Sequence, residues 1–139
     1  GASKGLCHSN VSKEIKEKNY LNTTAALLQQ SINEMIIFTE KLKGKRETAM
    51  GLAGIADLYV SDKGGRNSKM GQYLGQGMTY KEVKKTKMQM DTVEGADLAL
   101  EIGHKVKSDF DIKTLPLMIS IIDTICDEKP LTAKWNYFK

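Results

Sequence analysis

Cysteine, proline and arginine are scarce in this chain, and each scarcity excludes something. Two cysteines in 139 residues, Cys7 and Cys126, cannot build a disulfide framework. Two prolines and 40% apolar residues exclude a collagen-like or broadly disordered polymer. No apolar run approaches the roughly 20 residues that span a bilayer; the longest, Leu117-Met-Ile-Ser-Ile-Ile122, reads as a short buried segment. No charged-then-apolar leader is present, so the expectation is a reduced, cytoplasmic protein. Of 21 basic residues only Arg46 and Arg66 are arginine, and the net charge is +4. Nucleic-acid readers favour the planar, bidentate guanidinium, so a lysine-rich surface of this kind reads as solubility, and no nucleic-acid partner is expected. Length sets a further limit. One core can be buried in 139 residues, but a cofactor domain and a substrate domain together cannot.

Chemical motifs are missing too. No Gly-x-Gly-x-x-Gly follows a strand, and Gly51-Leu-Ala-Gly54 and Gly75-Gln-Gly77 have the wrong spacing for one. There is no phosphate loop, no zinc spacing and no nucleophile elbow. His8 and His104 have no cysteine or carboxylate at metal spacing, so both read as surface or partly packed. Nothing near Cys7 or Cys126 supplies a base, and both read as packed thiols.

Alternation of β-branched residues is almost absent as well, and the expected class is all-α, a single multi-helix domain over residues 1–139. A polar helix is expected over 4–18. A second runs about 23–43, capped by Asn22, stopped by Gly44, and striped by Ala26, Leu27, Ser31, Glu34, Met35 and Phe38. A third covers Thr48–Tyr59, where Gly51 and Gly54 suggest close approach by a neighbouring helix. Residues 61–66 read as a loop and 67–75 as a helix. Thr79-Tyr-Lys-Glu82 is a capping box. Val93–Val106 is amphipathic, with Ala96, Leu100, Gly103 and Lys107 on one side and Ala99, Ile102 and Val106 on another. Pro116 opens a buried helix to about Asp127, and Pro130 opens the last, carrying Trp135 and Phe138. The basic run Lys81–Lys87 reads as a solvated helix face.

One segment concentrates chemistry: Asp57-Leu-Tyr-Val-Ser61-Asp-Lys-Gly64-Gly65-Arg66-Asn67. A carboxylate ends an apolar helix and a hydroxyl follows one turn later. Two glycines free the backbone, and Arg-Asn opens the next helix. Free amides at a helix start beside a guanidinium suit an anion such as phosphate or sulfate. A plain Gly-Gly turn with a surface arginine and an asparagine cap accounts for the same residues.

These residues also sit within a longer pattern. Gly51-Leu-Ala-Gly-Ile-Ala-Asp57-Leu, Gly64-Gly-Arg-Asn67, Gly75-Gln-Gly77 and Val93-Glu94-Gly95 follow in order. Upstream, Gly1-Ala-Ser-Lys4 precedes Asn22-Thr-Thr-Ala-Ala-Leu by an eighteen-residue step from Lys4 to Asn22. The whole resembles the C-terminal, substrate-binding domain of NAD(P)-dependent glycerol-3-phosphate dehydrogenase, a helical domain like the C-terminal domains of 6-phosphogluconate-dehydrogenase-like enzymes. The resemblance implies a small phosphorylated three-carbon substrate and NAD or NADP, bound mainly by an N-terminal dinucleotide-binding domain that this chain does not contain. It implies catalytic roles for Lys4 and Asp57, substrate contacts from Ser61, Gly65, Arg66 and Asn67, and cofactor contacts from Arg66 and Glu94. No metal is implied, and a homodimer is left open. Where the family has asparagine after the lysine, this chain has Gly5. That departure keeps two alternatives in view: a related dehydrogenase acting on another 2-oxo or 2-hydroxy substrate, and a non-catalytic helical interaction module.

Overall fold

In the computed structural model, which describes residues 21–139, the chain runs through α1 (Leu21–Lys41), α2 (Arg46–Met50) and a five-residue π-helical turn (Leu52–Ala56). It continues through α3 (Asp57–Lys63), α4 (Arg66–Gly75), α5 (Tyr80–Thr86), α6 (Glu94–Asp109) and α7 (Pro116–Cys126), and ends in a 3₁₀ turn (Trp135–Tyr137). No strand occurs among the described residues, so the all-α expectation holds. No helix among them is long and apolar enough to cross a membrane. The polar helix expected at 4–18, with Cys7 and His8, lies outside the described residues.

Successive turns of α6 and α7 make the core. Ala96, Ala99 and Val106 face Leu115, Ile119, Ile122 and Ile125, and Met70, Leu74, Val83, Met88 and Val93 close the other side. Each large side chain so buried stabilises the fold by roughly 1.5–3 kcal/mol relative to exposure. Gly103 lets the two helices approach: a Cβ there would sit 2.8 Å from Ile122 Cγ2 and 3.1 Å from Cys126 Sγ. The buried face of α6 therefore combines Ala96 and Gly103 with Ala99 and Val106, while Leu100 is left exposed. Beyond the apolar contact, Lys107 Nζ donates to Asp123 Oδ1 at 3.0 Å and Asp127 Oδ2 at 2.7 Å, and Lys129 Nζ bonds Asp123 Oδ2 at 3.0 Å. The Asp127 carboxylate raises the Lys107 ammonium above its ordinary pKa, with Asp123 adding to the effect. The same ammonium holds Asp127 below the ordinary carboxylate value.

The start of α7 depends on α1. Pro116 is its first residue and has no N–H, so the next amides carry the positive end of the helix. Both are received by Glu34: Leu117 N–H donates to Oε1 at 2.8 Å and Met118 N–H to Oε2 at 2.7 Å. Gln30 Nε2 donates to the same Oε1 at 2.8 Å. Glu34 is only 3% exposed, so this carboxylate acts as a buried N-cap delivered from 83 residues upstream.

Several local expectations change. Of the stripe expected on α1, Glu34 is buried and Leu27, Ser31, Met35 and Phe38 are half-buried, whereas Ala26 is exposed; Gln30 and Ile36 are buried beside Glu34. Asn22 lies inside α1 rather than capping it. The left-handed residue after α1 is Lys43 (φ 63°), not Gly44. Gly44 is instead required for space, since a Cβ would lie 2.7 Å from Thr39 Cγ2. The helix expected over Thr48–Tyr59 breaks at Gly51 and restarts through the π-helical turn. There the close approach at Gly54 is to the chain's own preceding turn, with a Cβ falling 1.9 Å from Ala49 O. The expected loop at 61–66 is mostly helix: α3 continues to Lys63, and only Gly64 and Gly65 interrupt it. Pro130 opens no helix. The amides of Asp127 and Lys129 both return to Asp123 O, Glu128 turns left-handed (φ 56°), and the tail is tied to α1 by Lys139 N–H to Gln30 Oε1 at 3.2 Å and Asn33 Nδ2 to Lys139 O at 3.1 Å. By contrast the Thr79–Glu82 capping box is complete, with bonds of 2.8 and 3.2 Å.

Two outcomes test this packing. Glu34→Ala leaves two amides at the start of α7 without their charged acceptor and is expected to cost roughly 2–4 kcal/mol in urea unfolding. Glu34→Gln, which keeps one carbonyl oxygen, should cost less. The second concerns pH. Because Asp127 is depressed, its contribution is present above the ordinary carboxylate pKa of about 4 and is lost as pH falls through its lower folded value. Raised Lys107 contributes below the ordinary lysine pKa and loses that contribution only as pH rises through its higher folded value. Thermal unfolding of Lys107→Met across pH 2–5 should therefore show a shallower acid limb than wild type.

Candidate functional site

The sequence-expected site residues among those described fall on three stretches of the fold. Asp57 is the first residue of α3 and Ser61 lies one turn on. Gly65 precedes α4, whose first two residues are Arg66 and Asn67. Glu94 is the first residue of α6. Gly64 and Gly65 separate α3 from α4. Gly65 takes φ 109°, which an L side chain rarely adopts, whereas Gly64 is simply extended. Gly65 carries no side chain with which to cap α4, so no side-chain cap bond closes that helix.

The starts of α4 and α6 are cross-tied. Arg66 Nη2 meets Glu94 Oε1 at 3.1 Å, with the two side chains 51% and 75% exposed. Beside this pair, Gly95 N–H donates to Asn67 Oδ1 at 3.1 Å. A side chain at 95 would press on that contact, as a Cβ would sit 3.0 Å from Asn67 Oδ1. Asn67 thus serves as an N-cap for a helix to which it does not belong. Asp57 is exposed; its backbone N–H donates to Gly54 O and Leu52 O, while its carboxylate meets no ion-pair partner among the described residues. Lys4 lies outside the described residues.

A cavity of about 400 Å³ opens beside these helix starts. Its walls are apolar: Leu27 and Leu28 of α1, Leu58 of α3, Met70 and Leu74 of α4, Val93 and Ala96, and Leu117, Ile121 and Ile125 of α7. Ser61, Asp62, Asn67 and Ser68 supply polar atoms to its lining. Of the expected residues, Ser61 and Asn67 line this cavity, while Asp57, Gly65, Arg66 and Glu94 do not. Sequence reading missed the apolar cavity and its polar neighbours Asp62 and Ser68. Ser68 is buried and its hydroxyl donates to Asp62 O at 3.4 Å. The available signal was adjacency, because each flanks a residue already singled out. The cavity itself is assembled from separated stretches and has no local pattern. Among the described residues no cluster of histidine, cysteine and carboxylates could hold a metal. His104 is exposed, and Cys126, whose pKa burial pushes up, donates its thiol to Ala99 O.

A family model described as the C-terminus of NAD-dependent glycerol-3-phosphate dehydrogenase matches residues 12–135, which contain all of these helix starts. The chain belongs to that family. Lys4 lies upstream of the matched span. The chain is 33% identical over 112 residues to glycerol-3-phosphate dehydrogenase (NAD(P)+) of Agathobacter rectalis, covering 78% of this chain and 32% of the relative. It is 36% identical over 93 residues to the NADP(+)-dependent enzyme of Archaeoglobus fulgidus, covering 63% and 28%, and 35% identical over 89 residues to the enzyme of Clostridium tetani, covering 62% and 26%. The matches therefore span about a third or less of the length of these relatives. No solved structure matches the chain.

The cross-tie makes Asn67 a structural as well as a candidate binding residue. Asn67→Ala removes the acceptor for Gly95 N–H and is expected to lower stability by about 0.5–1 kcal/mol in denaturant unfolding. Asn67→Asp, which keeps an acceptor at the positive end of α6, should recover most of the loss.

Proposed function

We propose that this chain is the substrate-binding and acid/base half of an NAD- or NADP-dependent glycerol-3-phosphate dehydrogenase, whose other half is a dinucleotide-binding domain. The supporting observation is the pairing of two helix starts, Arg66-Asn67 against Glu94-Gly95, in a chain of this family. Such a corner suits a phosphorylated ligand. Arg66 is half-exposed, so its guanidinium can reach an anion without leaving a buried pair. The amides at the start of α4 meet no side-chain cap and carry the positive end of the helix. The same charge and the Glu94 carboxylate fit a cofactor's phosphate and hydroxyl groups at the edge of the site.

In this reading Arg66 and Asn67 hold the phosphate of the three-carbon substrate, with Ser61 and the backbone of Gly65 hydrogen-bonding nearby. A nicotinamide cofactor, with Arg66 and Glu94 at its edge, would supply the hydride chemistry at C2. Lys4 handles the proton: its ammonium protonates the C2 oxygen of dihydroxyacetone phosphate, and its free amine takes the hydroxyl proton of glycerol 3-phosphate in reverse. Asp57, whose exposed carboxylate meets no ion-pair partner among the described residues, orients that ammonium or binds a substrate hydroxyl. Oxidation would thus remove a hydride from C2 and a proton from its oxygen to separate acceptors, and reduction would return both, so that charge balances in each direction.

The isolated chain is expected to show no NADH oxidation with dihydroxyacetone phosphate. Joined to the dinucleotide-binding domain of a relative, it should turn over. There Arg66→Ala should raise KM for the phosphorylated substrate at least about tenfold, the loss of one charge-assisted contact. In the same fusion Lys4→Ala should lower kcat by about 10²–10⁴. Robust turnover by the isolated chain, or an unchanged KM for Arg66→Ala, overturns the reading.

A further inference from the structure

Resting on the reading that a dinucleotide-binding domain is the other half of the enzyme, we propose that the outer face of the π-helical turn and α3 is the surface on which that domain docks. The face carries Met50, Leu52, Tyr59 and Val60. Large apolar side chains lie in water more densely here than elsewhere among the described residues, with Leu52 87% exposed, Val60 68% and Tyr59 61%. A cluster of this kind on a folded domain marks an interaction surface. The local backbone sets it outward. Gly54 is buried against the preceding turn, a Cβ falling 1.9 Å from Ala49 O, so that side of the π-helical turn faces the protein. Leu52 lies on the other side, and Val60 returns to it about two turns later. Around α3, at about 100° per residue, Asp57 lies roughly 60° and Ser61 roughly 100° from Val60. Leu58, which lines the cavity, lies roughly 160° away. Asp57 and Ser61 thus form the flank between the apolar outer face and the cavity wall.

The chemistry chooses the occupant. Hydride transfer at C2 requires donor and acceptor atoms at roughly 3–3.5 Å. The body that carries the cofactor must therefore close against the element that carries Asp57 and Ser61. The apolar surface continuous with that flank is this outer face. The relatives have room for such a body, since the matched stretch is 32% of the Agathobacter rectalis enzyme and 28% of the Archaeoglobus fulgidus enzyme. Apolar contact here also keeps water from the flank on which the reaction would occur. Charge borders the face, as the rim of a domain interface needs: Asp57 is exposed, and Lys63 Nζ lies 4.9 Å over the Tyr59 ring. Two other occupants fit less well. A second copy seated on this face would stand where the cofactor has to approach. The upstream run Ser12–Lys18 carries five charges in seven residues and offers only Ile15 to an apolar surface.

Single cysteines read the face directly: Leu52→Cys, Val60→Cys and, as a reference, Ser108→Cys. Each is placed in the whole chain and in its fusion to the dinucleotide-binding domain of a relative. Ser108 is exposed, roughly 20 Å along α6 from Glu94. Iodoacetamide labelling is located by mass, so that Cys7 and Cys126 do not interfere. At positions 52 and 60 it should be at least about tenfold slower in the fusion than in the chain, because thiol chemistry follows access. Labelling at 108 should not change. In the same fusion Val60→Gln should lower kcat/KM at least about fivefold, while thermal unfolding of the chain alone is little changed, the side chain being in water. Equal labelling in the chain and in a fusion that turns over overturns the docking face and leaves the functional reading standing. Slow labelling already in the isolated chain overturns it too; protection lost on dilution then identifies a second copy, and protection that persists identifies residues 1–20. Protection in a fusion that does not turn over supports the face and removes the activity. A fusion that neither turns over nor protects positions 52 and 60 sinks both.

Discussion

One buried carboxylate holds the architecture together. Glu34, from the middle of α1, receives the first available amides of α7 and the amide of Gln30. A helix start buried without an acceptor is costly, because its donors have left water and its dipole is unopposed. Pro116 removes one donor, and Glu34 satisfies the next two with the charge that the helix end favours. With α7 seated, its apolar face can pack on α6, and Gly103 makes that approach close. The Lys107, Asp123, Asp127 and Lys129 cluster then fastens the solvent side of the same helix pair. Gln30 and Asn33, on the turns of α1 beside Glu34, also hold the C-terminal residue. A single polar face of α1 thereby organises both α7 and the tail.

The candidate site obeys the same rule in reverse. At α7 the helix start is closed by a buried anion of the protein. At α4 and α6 the starts are exposed and closed only partly, by Asn67 for one amide and by the Arg66–Glu94 pair at the rim. Donors left near water are donors that a ligand can use. The apolar cavity beside them provides a wall on one side, so a small phosphorylated molecule would meet charge at the rim and hydrocarbon within. Electrostatics at such an exposed corner are modest for any one pair.

Features governed by two or three neighbouring residues were legible. The Thr79–Glu82 capping box, Pro116 at a first helical position and the stop at Gly75-Gln-Gly77 each involve groups within one turn of one another, and each appears as read. Features governed by distant groups were not. Gly51 and Gly54 announce close approach, yet the approaching backbone is Ala49 in the preceding turn, reached through a π-helical register that no periodicity reveals. Ser61 and Asp62 looked like loop because of the glycines after them, but two residues suffice for the bend and α3 continues to Lys63. Pro130 has a suitable helix-opening context and opens nothing, since the tail finds its partners on α1.

For the site, the residues alone picked out the segment Asp57–Asn67, with Asp57, Ser61, Gly65, Arg66 and Asn67, as chemically dense, because charged and glycine residues at helix boundaries carry meaning locally, whereas Glu94 entered only through the family resemblance. Family membership followed from the order of those motifs along the chain. Tertiary structure alone decided that Arg66 faces Glu94 and that Asn67 caps Gly95, 28 residues away in both cases. It alone decided that Glu34 meets the amides of Leu117 and Met118. The physical reason is common to all three. Local propensity and capping act over one helical turn, whereas the pairing of charges and amides across the fold depends on which faces are brought together when the apolar core closes.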